Sequence, residues 1–184
     1  FGAIIDGDQL LYIIAQDRKL KNLLPGGIVG TVMSNLGLEI ALKNAGIEFV
    51  RAKVGDRYVL ETLQNKGWRI GGESSGHIVC LDKTTTGDGI IAALQVLSAM
   101  IKQQKSLDAL LENISLYPQQ LVNIKTNKAD ALMASAKVKA LIKDAEEKLK
   151  TRGRVLPRSS GTEPVLRIMV EVEDTQQVES KVSE

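Results

Sequence analysis

The sequence predicts an α/β protein in two parts. A three-layer-type α/β domain with a largely parallel sheet spans residues 1–115, and a small α+β domain with an antiparallel sheet spans residues 116–184. Two observations lead there. Short apolar runs alternate with amphipathic stretches of helical period up to about residue 105, the pattern of strands joined by crossover helices. The pattern then changes to a β-α-β-β-α order, which puts helices on one face of an antiparallel sheet.

Taken in order, Phe1-Gly2-Ala3-Ile4-Ile5 is a short apolar start, the tail of a strand. Asp6 or Asp8 is placed to cap a helix beginning at Leu10-Leu11-Tyr12-Ile13-Ile14. Ile28-Val29-Gly30-Thr31-Val32-Met33 predicts a strand, and residues 35–44 a helix closed by Gly46. Residues 48–54 form the next strand, after which Asp56 caps a helix ending near Gly67. Trp68-Arg69-Ile70 is a short strand, followed by a glycine-rich turn and an apolar run at residues 77–81. Asp88 caps a long helix with Ile90, Leu94, Leu97 and Ile101 on one stripe, the spacing of a core-facing side. Residues 106–115 hold a short helix. In the second part Leu121-Val122-Asn123-Ile124-Lys125 is a half-buried strand and residues 129–150 are one helix, with Val138, Leu141, Ala145 and Leu149 aligned. Arg154-Val155-Leu156 and the run from Val165 to Val170 are strands, and Asp174 starts a final helix.

Composition bounds the function. Of 184 residues, 43% are hydrophobic and 25% charged, an ordinary globular balance. A net charge of +2, from 24 basic and 22 acidic side chains, is too small for general attraction to nucleic acid. The single cysteine, Cys80, lies in an apolar run, so a buried thiol in a reducing cytosol is expected. No apolar run is long enough to span a bilayer and no signal peptide is visible, so no membrane partner is expected. The chain begins at Phe1 without an initiator methionine, as a segment of a longer protein would.

Four stretches carry chemistry. Arg158-Ser159-Ser160-Gly161-Thr162-Glu163-Pro164 lies between two strands and offers a guanidinium, hydroxyls and a glycine N–H, the inventory that holds a phosphate dianion. Alternation sets Arg167 opposite Leu166, Ile168 and Val170, so it can reach back to that loop. The plain alternative is a polar turn closed by proline. In Gly72-Glu73-Ser74-Ser75-Gly76-His77, an extended backbone would put Glu73, Ser75 and His77 on one side. A carboxylate can accept from two neighbouring sugar hydroxyls. A Ser-x-His nucleophile lacks an orienting acid here, and the lone histidine excludes a multi-histidine metal site. Lys53-Val54-Gly55-Asp56-Arg57 sets a cation at a strand end before a helix start. Asp6-Gly7-Asp8 invites magnesium, but helix capping is the simpler use of either carboxylate.

The phosphate loop followed by Arg167, together with residues 72–77, resembles the phosphohexomutases. Asp56-Arg57, Met33-Ser34-Asn35 and the Thr84–Gly89 stretch resemble the glucosamine-directed members of that family. The resemblance covers only the family's C-terminal half. It implies a phosphoryl exchange between O6 and O1 of a glucosamine phosphate, through a phosphoserine and a 1,6-bisphosphate. It implies substrate binding by Glu73, Ser75 and His77, a cleft cation at Lys53, and phosphate binding by Arg158, Ser160, Gly161, Thr162 and Arg167. The phosphoserine and the Asp-Gly-Asp-x-Asp-Arg loop for Mg2+ are absent, so no catalytic or metal residue is expected in this chain. Both are expected in N-terminal domains of the same protein. Other hexose specificities, or a non-catalytic phosphosugar-binding module, remain open.

Overall fold

The computed structural model describes Gly2 and residues 4–150, 152–160 and 163–173. The chain divides into two compact units, residues 1–116 and 117–184.

The first unit runs α1 (Gly7–Leu20), β1 (Ile28–Thr31), α2 (Leu36–Asn44), β2 (Phe49–Ala52), α3 (Asp56–Lys66), β3 (Ile70–Gly72), β4 (Ile78–Cys80), α4 (Gly89–Gln103) and α5 (Leu107–Leu110). The sheet order is β2-β1-β3-β4, with β1 parallel to both β2 and β3 and β4 antiparallel to β3. Only residues 73–77 join β3 to β4. That is too short for a crossover, so this edge is a hairpin on an otherwise parallel sheet. Alternation sorts the strand residues between two clusters. Ile28, Ile70, Ile78 and Cys80 pack with Leu11, Ile14, Leu38 and Ala99 of α1, α2 and α4. Val29, Ala52 and Val79 pack with Val59 and Leu63 of α3 and with Trp68. Helices thus cover both faces, giving the three layers expected.

Local chemistry sets the helix ends. Asp6 caps α1 in a reciprocal capping box with Gln9, Asn35 caps α2 and Asp88 caps α4. Gly67 ends α3 in the left-handed region. Three expectations change. Asp56 does not cap α3: it is the first helical residue, and Gly55 at φ 121° is the cap position. The aligned apolar residues of α4 do not face the core. Ile90, Leu94, Leu97 and Ile101 are 50–75% exposed, while Ala92, Val96 and Ala99 are buried. The small alanines let α4 come close to its neighbours, so a weaker-looking stripe wins the interior. The third strand shifts from residues 68–70 to Ile70–Gly72, so Gly71 and the first glycine of the turn motif, Gly72, become strand.

The second unit is β5 (Gln119–Lys125), α6 (Ala129–Ala134), α7 (Ala136–Leu149), β6 (Gly153–Ser159) and β7 (Val165–Val172). Its sheet has order β5-β7-β6 and is antiparallel throughout. Leu149 packs on Val170 and Val172, with Val155 and Ile168 beside them. The single helix expected over residues 129–150 is broken at Ser135, whose extended backbone (ψ 132°) separates α6 from α7. Leu141 is 60% exposed, and Ile142 takes the inward position in its place. The helix expected from Asp174 lies outside the described residues.

Leu63 is fully buried beside Trp68, the only tryptophan. Leu63→Ala should lower stability by about 2–5 kcal/mol, read as an earlier Trp68 fluorescence transition in urea. An unchanged midpoint would show that the α3 layer contributes little.

Candidate functional site

In the first unit, the two stretches read as substrate-binding meet. Residues 73–77 form a tight turn, with Gly76 N–H donating to the Glu73 carbonyl at 3.0 Å and Glu73 N–H to the His77 carbonyl at 3.1 Å. Gly76 sits at φ 95°, open only to a residue without a Cβ. The backbone is therefore folded, and the extended alternation expected of Glu73, Ser75 and His77 does not hold. Instead, Glu73 Oε1 accepts from the Gly55 N–H at 3.0 Å. His77 Nε2 lies 3.7 Å from Asp56 Oδ2, an ion-pair distance beyond a hydrogen bond. Ser75 stands exposed at the tip of the turn. Lys53 is also exposed, its ammonium 5.6 Å from the centre of the Tyr58 ring. Gly87 lies against His77, and a Cβ there would collide with the imidazole.

The turn rests on the start of α1. Gly7 N–H donates to the Ser74 carbonyl at 2.9 Å. Asp8 Oδ2 accepts from the Asn35 N–H at 2.6 Å. Asp8 is wholly buried, and burial pushes its carboxyl from 3.8 up to about 6, against the lowering effect of the Asn35 hydrogen bond. Arg51 Nη1 donates to the carbonyls of Thr31 (3.0 Å) and Ser34 (2.6 Å), while its Nη2 pairs with Glu39 at 2.7 Å. Sequence reasoning missed the roles of Asp8 and Arg51. Arg51 left one signal, a cation inside a strand that needs partners. Among the described residues no group of three acidic, histidine or cysteine side chains is placed to hold a metal. Asp6 is used by the α1 cap and Asp8 by Asn35, so this donor set does not fit magnesium.

In the second unit, Arg158 lies on β6, not in the loop. The ladder extends through Ser159, and Arg158 and Arg167 are direct cross-strand partners. Two like charges so placed repel each other. The Nε of each is buried without a hydrogen-bond partner. Arg167 Nη2 pairs with Glu163 at 2.6 Å, whereas Arg158 has no acidic partner among the described residues. Ser160 N–H donates to the Val165 carbonyl at 3.0 Å, and its Oγ accepts from Glu163 N–H at 3.3 Å. Gly161 and Thr162 lie outside the described residues.

Residues 6–117 match the family model for phosphoglucomutase/phosphomannomutase, alpha/beta/alpha domain III, and residues 121–184 match that for the C-terminal domain of the same family. The chain belongs to the phosphohexomutase family. It is 61% identical over 170 residues to a phosphoglucosamine mutase of Legionella pneumophila (strain Corby), covering 92% of this chain and 37% of the relative. A phosphoglucosamine mutase of Sodalis glossinidius is 56% identical over 177 residues, covering 96% of this chain and 40% of that protein. The chain therefore spans well under half the length of these curated relatives. Among solved structures, Aspergillus fumigatus N-acetylphosphoglucosamine mutase, in complex with GlcNAc-6P and magnesium, shares the fold. Its TM-score is 0.81 at 17% identity, over 98% of this chain and 46% of that one. A phosphoglucomutase/phosphomannomutase family protein of Burkholderia thailandensis aligns with a TM-score of 0.76 at 25% identity, over 99% and 41% of the two chains.

The raised carboxyl of this phosphohexomutase chain has a signed consequence. Burial favours protonated Asp8, so its stabilising contribution is full below about pH 3.8 and is lost as pH rises through about 6. Relative to Asp8→Asn, the parent chain should lose on the order of 2 kcal/mol of stability between about pH 4 and about pH 8. Urea unfolding of both proteins across that range checks this. Parallel stability curves would mean that the carboxylate is not desolvated.

Proposed function

We propose that this chain is the substrate-holding C-terminal portion of a phosphoglucosamine mutase. Such an enzyme interconverts glucosamine 6-phosphate and glucosamine 1-phosphate in the cytoplasm and feeds UDP-N-acetylglucosamine and cell-wall synthesis. The observation that carries the reading is the Arg158–Arg167 pair. Two arginines set as direct cross-strand partners, each with an unsatisfied Nε, are costly unless an anion joins them. A phosphate dianion fits, because it can accept from both forks at once. The name shared by relatives at 52–61% identity supports glucosamine phosphate as the substrate.

The roles follow from what each group has free. Glu73 uses Oε1 to hold Gly55, leaving Oε2 for sugar hydroxyls. Ser75 and Lys53 are exposed and add contacts, and His77 adds a donor or acceptor beside them. Arg158, Ser160, Gly161, Thr162 and Arg167 grip the phosphate that is not reacting, which orients the reacting end. The phosphoserine and the magnesium site belong to preceding domains of the full-length protein. The neighbouring fungal enzyme is a magnesium complex, which supports magnesium as that cofactor. When bound, magnesium stabilises charge on the transferring phosphoryl group. This chain alone is inactive on that reading. Phosphomannomutase or phosphoglucomutase specificity is tested by comparing the three hexose phosphates as ligands.

Titrating glucosamine 6-phosphate into the labelled chain should shift the amides of Ser159, Ser160 and Glu163. Arg158→Ala should weaken binding about tenfold or more, the scale of a lost charge-assisted bond, and Arg158→Lys should recover only part. Shifts that persist in an Arg158→Ala, Arg167→Ala double variant would reduce the loop to a turn.

Glu73→Gln keeps an oxygen for the Gly55 N–H and removes the charge. It should weaken sugar-phosphate binding by about 1.5–3 kcal/mol while leaving Tm unchanged. Unchanged binding with a lowered Tm would make Glu73 purely structural.

A further inference from the structure

The first turn of α1 holds two loops at once. Through its backbone, Gly7 carries the Ser74 carbonyl. Through its side chain, Asp8 carries the Asn35 N–H, and the Ser34 hydroxyl bonds to the same carboxylate. There is no slack at the first contact. A Cβ on Gly7 would collide with the Glu73 carbonyl and the Gly76 N–H, so the helix backbone lies directly on the turn.

Capping does not explain Asp8. Asp6 already caps α1, and Asn35 caps α2 with its own side chain, Oδ1 accepting from the Gly37 N–H at 2.8 Å. Asp8 is nonetheless fully buried, with Oδ1 lacking a hydrogen-bond partner. A neutral acceptor could serve the Asn35 N–H at a lower desolvation cost. What the carboxylate adds is a short, charge-assisted bond that resists displacement.

We propose that Asp8 is a positioning residue for the turn at residues 73–77. It pins the first turn of α1 to the turn before α2, and Gly7 transmits that position to Ser74. The inference rests on the proposed function only for what the turn binds, not for the linkage itself. The charged groups that face Asp8 are Asp6 on its own helix and Arg51 from β2, the latter paired with Glu39. Ser34 and Asn35 face it from the turn before α2. On the turn it positions, Glu73 points to Gly55 and His77 to Asp56. Protonating Asp8 turns the Asn35 bond into a neutral one and loosens the shared anchor.

The test is an amide titration by NMR of the whole chain, in a His77→Gln background that removes the only imidazole. The Asn35 amide is expected to titrate with a midpoint of about 6. Gly7, Ser74 and Gly76 amides should share that midpoint, and all four inflections should vanish in Asp8→Asn. Asn35 titrating while Ser74 and Gly76 stay flat would overturn the proposal. So would inflections at Ser74 and Gly76 that survive Asp8→Asn. The comparison of midpoints needs no Asp8 variant, so a variant that fails to fold does not shield the idea. A second arm uses glucosamine 6-phosphate near neutral pH, where Asp8→Asn should bind about three- to tenfold more weakly. If the parent chain itself shows no shifts at residues 73–77 with this ligand, the sugar-binding reading fails, and the linkage is still judged by the pH titration.

Discussion

The turn at residues 73–77 is held by glycines on three sides, and the first unit is arranged around that fact. Gly7 brings the α1 backbone onto it, Gly55 offers an N–H to the Glu73 carboxylate, and Gly87 makes room for the His77 ring. At Gly7 and Gly87 a side chain would collide with the turn, and at Gly55 the backbone is left-handed. At Gly7 and Gly87 the approach is closer than a residue with a Cβ allows, and at Gly55 it is the positive φ that favours glycine. The turn is therefore a fixed surface presented by three elements rather than a mobile loop of one. Such a surface holds its polar groups ready in place.

The second unit reaches a similar result by a different cost. On the face of β6 and β7 that carries Arg158 and Arg167, Arg154 is also present. Its charge is matched by buried Glu171, which Gln119 also contacts. Arg167 shares Glu163, and Arg158 has no carboxylate among the described residues. Positive charge thus grows along the sheet from the neutralised end toward the turn. Like charges gathered in this way lower stability unless a counter-charge meets them. The buried Asp8 follows the same logic in the first unit: both are polar groups kept where folding alone would favour neutral ones.

How much was legible depends on whether the cause is local. The cap at Asp88 was readable, and that of α1 was narrowed to Asp6 or Asp8, because a cap is a matter of neighbouring residues; Asn35, read as part of its helix, proved to be the cap of α2. The strand order of residue types was readable because alternation is also local. The Asp56 cap failed because the left-handed Gly55 took the cap position. The α4 stripe failed because periodicity identifies an apolar face but not which face neighbours approach. Ala92 and Ala99 were chosen by closeness, a property of the partner helices. The break at Ser135 escaped notice because no proline or glycine marks it.

The sequence by itself determined the two-part α/β and α+β organisation, the membership of the phosphohexomutase family and the residue types at each candidate site. These depend on periodicity and on short motifs, which survive without any knowledge of distance. Only the tertiary structure decided that Glu73 meets Gly55, that Arg158 sits on a strand opposite Arg167, and that Asp8 is buried against Asn35. Those partners are separated by 18, 9 and 27 positions along the chain. Chain separation carries no information about approach in space. Register, helix placement and the lack of a Cβ at the contact points set these pairs, and all three are settled by packing.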